Sequence, residues 1–457
     1  MSKLTFLNHA SYMIETKKSL LIIDPWFEGY AFDKGWALLD NSTTNEGLID
    51  LISATKKEIY IWLSHEHSDH FSVPFVMNLK KRGLCAKFFF QRTIDRRVAT
   101  YIRNMGFSVV ESNDTKENID SELSIVTFPF SGGDSYCLML CKEFSLLNLN
   151  DCVIKNETRV RSVMSNIKKY TIGIDLLMTQ FGYANWLGNR DETELRISAA
   201  KDKLTRIKLQ IEHIKPKYVI PFASFIYFCH KENFHTNDMQ NTPEDVKEFF
   251  NKNDLDSKLI MVKPMDKLDL SQNLLLQSSN SIQVNIQHWN KLISKIKPHD
   301  IEDKVYSKSE IINEYKVYKK KIFISFLFVP AILEKLKYIT SIQFYIHDLD
   351  INLSLSYITG IKITPGEKDN ADIGISSSTM VFILKNDYGM NTTVVNGKLV
   401  CLSDNGIIKF ERHFLLQEYM KMGYGLKHPL ITLSIFLKKI FHKFKVRKWD
   451  NNPNLDS

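Results

Sequence analysis

Cysteine is scarce and unpatterned in this chain. Six cysteines in 457 residues (Cys85, Cys137, Cys141, Cys152, Cys229, Cys401) lie mostly inside apolar runs, with no CxxC pair and no paired CxH…CxxH spacing. That excludes a zinc ribbon or an iron–sulfur cluster, and the thiols are read as buried and reduced. No uninterrupted apolar run approaches the roughly twenty residues of a membrane-spanning helix. The opening Met1-Ser2-Lys3-Leu4-Thr5-Phe6 lacks the apolar stretch and cleavage site of a secretory signal, so a cytoplasmic location is expected. Arginines interleaved with aromatics are also missing, which sets nucleic acid aside as a partner. Neither sign of charge dominates: 60 Lys and Arg against 52 Asp and Glu leave +8, a surplus that suits an anionic small-molecule substrate.

What is present is a dense set of metal donors. Leu63-Ser64-His65-Glu66-His67-Ser68-Asp69-His70-Phe71 follows the apolar, aromatic run Glu58-Ile59-Tyr60-Ile61-Trp62, which reads as a buried strand. The cluster therefore sits where a strand ends, the place at which α/β sheets put their sites. Imidazole nitrogens and carboxylate oxygens are donors that zinc, iron and manganese accept. His65 and His67, two apart, can point the same way from an extended segment, while Asp69 and His70 begin the next turn and can face a second ion. Glu66 and Ser68 are expected to point elsewhere. Upstream, Leu4 to Glu15 and Ser19 to Trp26 read as strands joined by a polar turn, and Asp24, locked by Pro25, falls at a strand end. Asp24 either holds a metal ligand from behind or caps a turn. His9 is either near the site or a strand-end histidine.

Asn8-His9-Ala10-Ser11, Asp24-Pro25-Trp26 and His65-x-His67-x-Asp69-His70, taken together, resemble the metallo-β-lactamase fold superfamily. Within it, Gly29-Tyr30-Ala31-Phe32-Asp33-Lys34-Gly35-Trp36, Leu146 to Cys152 and Pro221-Phe222-Ala223-Ser224-Phe225 with His230 are similar to the metallo-β-lactamase-like part of CMP-N-acetylneuraminate hydroxylases. The resemblance covers roughly residues 1 to 270 and implies a four-layer αββα fold with two divalent metal ions. It also implies that Asp151 bridges both ions, with Asp69 or Asp151 orienting the nucleophile. His230 is the candidate for the last histidine of the second metal. One departure stands out: the loop in which the superfamily carries a third histidine for the first metal reads Pro129-Phe130-Ser131-Gly132-Gly133-Asp134. Asp134 is the candidate oxygen ligand there, and an oxygen-rich site would favour iron or manganese.

At 457 residues the chain exceeds what one hydrophobic core usually supports. A catalytic domain is expected over 1–272 and a linker at Leu274 to Ser281. An α+β accessory domain that resembles a sterol-carrier module is expected over 282–425, with strands at Met380 to Leu384 and Thr392 to Val395 and a hairpin turn at Asn396-Gly397. Residues 426–457 read as a basic amphipathic helix and tail, and 430–449 either docks on its own domain or lies on a membrane. Tyr183, Asn185 and Trp186 either stack on a base or sugar or pack a loop.

Three functions fit these residues. The favoured one is metal-dependent hydrolysis of an anionic substrate, a nucleotide-sugar or phosphoester, through a metal-bound hydroxide. The second is a di-iron oxygenase that hydroxylates a nucleotide-activated sugar. The hydroxylases also carry a Rieske part, whose paired Cys and His ligands this sequence does not contain, so electrons would come from a separate donor. The third is a non-enzymatic binding or scaffold protein.

Overall fold

The computed structural model describes residues 2–142, 144–278, 281–430 and 432–434. The chain divides into two compact units, one comprising Met1–Glu302 with Thr393–Leu399 and the other Asp303–Thr392 with Val400 onward.

In the first unit the strands alternate inside and outside with period two. Tyr60 and Trp62 of Glu58–Trp62 join one apolar cluster, and Ile59 and Ile61 join another. A seven-stranded sheet runs in the order Lys267–Asp269, Lys3–Asn8, Ser11–Glu15, Ser19–Ile23, Glu58–Trp62, Lys87–Phe90, Ser108–Glu111, its last four strands parallel. A six-stranded sheet runs Tyr218–Phe222, Leu176–Gln180, Phe144–Asn150, Ser135–Cys141, Leu123–Pro129, Lys116–Asn118.

The two sheets face each other across one core, where Leu4, Phe6, Tyr12 and Trp62 meet Phe128, Leu138, Leu147 and Leu177. Helices cover both outer faces. Asn45–Ala54, Val73–Lys81 and Arg97–Asn104 bury Ile49, Phe75 and Ile102 against the first sheet. Glu157–Ile167, Thr193–Ile214 and Pro243–Lys252 bury Val163, Ile207 and Phe250 against the second. These are the four layers α, β, β, α. Burial on both faces explains why the parallel strands read as continuous apolar runs.

The expected linker at 274–281 is not where the units part. Leu274–Ser278 is a short helix with Leu274 buried, and Ile282–Ile293 packs Ile286 and Trp289 into the first core. Trp289 stacks on Phe225 at 4.0 Å, and its indole N–H donates to the Val262 carbonyl. The boundary consequently falls at residues 302 and 303.

The second unit has a five-stranded sheet in the order Gly360–Pro365, Ile351–Ser356, Ile342–Ile346, Ile373–Ile375, Val400–Cys401, with the helix Lys308–Phe326 capped by Ser307 and Glu310. Here the sequence reading needs correction. Met380 to Leu384 belongs to the helix Ser377–Lys385, started by Ser376, whose hydroxyl accepts from the Thr379 amide. Thr392 to Val395, of which all but Thr392 belong to the first unit, lies in the helix Gly389–Asn396, and Gly397 at φ 69° ends that helix instead of turning a hairpin. A short apolar run buried on most sides has no periodicity to separate strand from helix. Among the described residues no helix is long and apolar enough to cross a membrane. The basic helix expected over 430–449 lies outside the described residues from 435 onward.

Candidate metal centre

Three strand ends and one tight turn converge on the donor cluster. Ser19–Ile23 pairs in parallel with Glu58–Trp62, which places Asp24 beside Ser64; the Asp24 amide donates to the Trp62 carbonyl at 3.1 Å. Phe144–Asn150 delivers Asp151 from the facing sheet. His9 sits in the two-residue turn between Lys3–Asn8 and Ser11–Glu15, and its carbonyl accepts from the Ala223 amide at 2.9 Å. His9, Asp24, Asn150 and Ala223 all have positive φ, at 34°, 42°, 46° and 51°. Non-glycine residues pay strain in that region, and such strain concentrates at sites the surrounding structure over-determines.

Asp24 is the hub behind the cluster. Its Oδ1 accepts from the Ser64 amide at 2.8 Å, and its Oδ2 from the Asn150 side-chain amide at 2.8 Å and from His70 Nδ1 at 3.0 Å. A carboxylate only accepts, so His70 carries its proton on Nδ1 and presents Nε2 to the centre. Ser64 Oγ lies 2.9 Å from His65 Nδ1 and turns His65 Nε2 inward in the same way. Ser68 Oγ accepts from the Phe32 amide, and Glu66 pairs with Arg97, so both leave the centre as expected.

The donors fall into two groups, each with ligand atoms mutually within 4.8 Å: His9, Asp69, His70, and His65, His67, Asp151. In the first, fully buried group, Asp69 Oδ2 is 3.2 Å from His70 Nε2 and 3.5 Å from His9 Nε2. In the second, His65 Nε2 and His67 Nδ1 are 2.9 Å apart, and Asp151 Oδ2 is 3.6 Å from His65 Nε2. Asp151 Oδ2 also stands 3.2 Å from His70 Nε2, so this carboxylate lies between the groups.

The residues fit metal ions. His9 Nε2, His70 Nε2 and Asp69 Oδ1 are buried with no hydrogen-bond partner among the described residues, an arrangement costly unless a cation joins them. The electrostatics agree. Burial alone would raise the Asp69 carboxyl, but His70 and His9 beside it hold it well below its ordinary value. Burial would likewise lower His70, yet Asp69, Asp151 and Asp24 push it well above. Asp151 is held below its ordinary value against burial, chiefly by His70 and His65. A corner that draws a proton so strongly onto a buried imidazole will draw a divalent ion in its place.

The other candidates separate. Asp134 lies outside both groups but lines, with His67, Asp151, Tyr183 and Asn185, a cavity of about 250 Å³. Tyr183 is buried, its hydroxyl donating to the Thr236 carbonyl at 2.7 Å. Trp186 is not a lining residue; its amide donates to the Val394 carbonyl. His230 is in neither group. The strand Ile226–Phe228 pairs with Trp36–Leu38, and the turn after it fixes His230, whose amide donates to Asn233 Oδ1 while Nδ1 accepts from the Glu232 amide. The histidine that groups with Asp69 and His70 is His9. The sequence signal for His9 was its strand-end position after Asn8, whose side chain accepts from the His9 amide at 2.9 Å.

Two facing sheets between helical layers, with His65-x-His67-x-Asp69-His70 at the end of a parallel strand and Asp151 opposite, decide the architecture. The first unit has the metallo-β-lactamase fold. No family model matches the chain. It is similar to the cytidine monophosphate-N-acetylneuraminic acid hydroxylase of Danio rerio, 24% identical over 304 residues, covering 63% of this chain and 49% of that protein. The Mus musculus counterpart is 24% identical over 268 residues, covering 55% and 44%. The chain thus spans about half the length of the curated relatives it matches. Among solved structures, a possible metal-dependent hydrolase from Veillonella parvula aligns with TM-score 0.43 at 15% identity, covering 59% of this chain and 99% of that one. CmlA, a diiron β-hydroxylase from Streptomyces venezuelae, aligns with TM-score 0.41 at 14% identity, covering 59% and 54%.

Proposed function

We propose that this metallo-β-lactamase-fold chain is a two-metal oxygenase that hydroxylates an anionic, nucleotide-linked sugar or a related compound. The observation that carries the reading is the pair of donor groups joined through Asp151, in a chain whose curated relatives are named as hydroxylases. His65, His67 and Asp151 would hold one ion and His9, Asp69 and His70 the other. Bound iron would supply oxygen activation: one oxygen atom enters a C–H bond of the substrate as hydroxyl and the other leaves as water, with two electrons from a separate electron-transfer protein and two protons.

The chain's own residues do the positioning. Asp24 keeps the His70 proton on Nδ1 and so keeps Nε2 available. Phe32 packs its ring edge-on to His67 at 5.3 Å and shields that side from water. Asp134, at the cavity wall, is a proton-accepting group facing the substrate space. Metal analysis of protein purified without added metal tests the reading, together with oxygen consumption in the presence of a reductant. Two equivalents of iron with substrate-dependent oxygen uptake are expected; two equivalents of zinc overturn it.

Hydrolysis is the second reading, favoured by a separate observation. With His9 included, the donor set holds four imidazoles against two carboxylates, a balance that suits zinc. In that case bound zinc would supply an activated water for hydrolysis, the phosphoester P–O or amide C–N bond being cleaved with the leaving group taking up a proton, and Asp69 or Asp151 would orient the water. Zinc-dependent release of product without oxygen uptake is its signature.

A further inference from the structure

The long helix Thr193–Ile214 has two faces. Leu204, Ile207, Ile211 and Ile214 enter the core, while Ala199, Asp202, Lys203 and Arg206 line the cavity beside the second donor group. The spacing of three and four residues puts Lys203 and Arg206 on one stripe. Lys203 Nζ donates to Gln180 Oε1, and Gln180 Nε2 donates to Asp151 Oδ1 at 2.8 Å. Gln180 is thereby oriented from both ends, and the lysine is linked through a single side chain to the carboxylate that lies between the two groups. Arg206 pairs with Asp202, yet its Nε is buried with no hydrogen-bond partner among the described residues. The guanidinium therefore keeps a donor unspent.

We propose that Lys203 and Arg206 form a clamp for a phosphate group, holding a phosphate-bearing substrate in the cavity with its reacting part toward His65, His67 and Asp151. The assignment rests on the two-metal reading only for where the reacting part lies. Two cations on one stripe match a phosphate, which accepts several charge-assisted hydrogen bonds, better than a carboxylate, which one arginine fork satisfies. Burial lowers the Lys203 ammonium to about 8, and a bound anion would offset that desolvation. The Gln180 link gives the clamp a second effect: drawing Lys203 toward phosphate loosens its hold on Gln180, and so on the Asp151 oxygen that Gln180 engages.

The test uses the full chain, loaded with zinc and separately metal-free, titrated calorimetrically with methyl phosphate and with acetate. Wild type is expected to bind methyl phosphate more tightly than acetate. Lys203→Met and Arg206→Met should each weaken methyl phosphate by about tenfold or more, with Lys203→Arg restoring most of the loss. Metal content and circular dichroism of each variant should match wild type. Unchanged methyl phosphate affinity in both methionine variants overturns the clamp, as does acetate binding as tightly as methyl phosphate. So does loss of metal in Lys203→Met, which would make the lysine a support for Asp151 alone. If wild type takes up no metal, the two-metal reading fails, while the metal-free titrations still decide the clamp.

Discussion

Two histidines in this protein are equally inaccessible and behave oppositely. His70 of the first unit and His413 of the second both have 0% exposure. His70 has Asp69, Asp151 and Asp24 within hydrogen-bonding or ion-pairing distance, and they push its pKa well above the ordinary value in spite of burial. His413 stacks on Tyr357 at 4.9 Å and 19°, its Nδ1 lies 2.9 Å from the Thr340 carbonyl, and burial brings it down to about 4. Around it, the Tyr357 hydroxyl donates to the His413 carbonyl and meets the Tyr318 hydroxyl at 2.8 Å. Burial depth therefore does not mark a site. What separates the two imidazoles is the set of carboxylates packed against His70.

The contrast can be broken most directly at the metal groups. His67→Ala should cost metal occupancy and reduce activity by about 100-fold or more while the domain stays folded; inductively coupled plasma analysis beside circular dichroism checks this, and a variant that keeps both metals removes His67 from the centre. Next in size, chelation should destabilise the loaded protein by roughly 4 kcal/mol if metal had been held at about a thousandfold saturation. Denaturant unfolding before and after chelator measures it. His413→Gln should show the same chelator-dependent loss as wild type.

The third prediction concerns His413 itself. Its folded pKa lies below the ordinary 6.5, so the unfolded chain binds the extra proton first as pH falls. The contribution is present above about pH 6.5 and declines toward pH 4, by on the order of 3 kcal/mol. The difference in pH slope between wild type and His413→Gln isolates it, and equal slopes would refute it. The smallest effect is expected at Asp24→Asn, which keeps the shape but offers His70 Nδ1 a weaker acceptor. Metal affinity should fall by about 10- to 100-fold, and competition against a chelator of known affinity reads it.

Much of the centre was legible because its donors are consecutive. A buried strand followed by five ligand-type residues in six needs no tertiary information, and Asp151 stood at the end of a second apolar run. His9 is harder to read, since a single histidine in a tight turn joins a donor group only when the sheet brings that turn opposite Asp69. His230 falls outside both donor groups for the converse reason: it lies near the right strand, but pairing of Ile226–Phe228 with Trp36–Leu38 leads the chain into a turn of its own. In the second unit, Met380 to Leu384 was misread because a fully apolar five-residue segment fits a strand and a buried helix equally well. Trp289, which moves the unit boundary, joins its core through a stacking contact that no local pattern announces.

The left-handed torsions at His9, Asp24 and Asn150 have a consequence for anyone who would borrow this centre. Each of these residues hands its side chain inward through a backbone conformation that only the surrounding sheets enforce. The six-residue stretch His65 to His70, grafted onto another loop, would carry four of the six donors and none of the geometry that sets them against one another. The portable unit is the corner where the two sheets end, and it cannot be cut from the sequence as one piece.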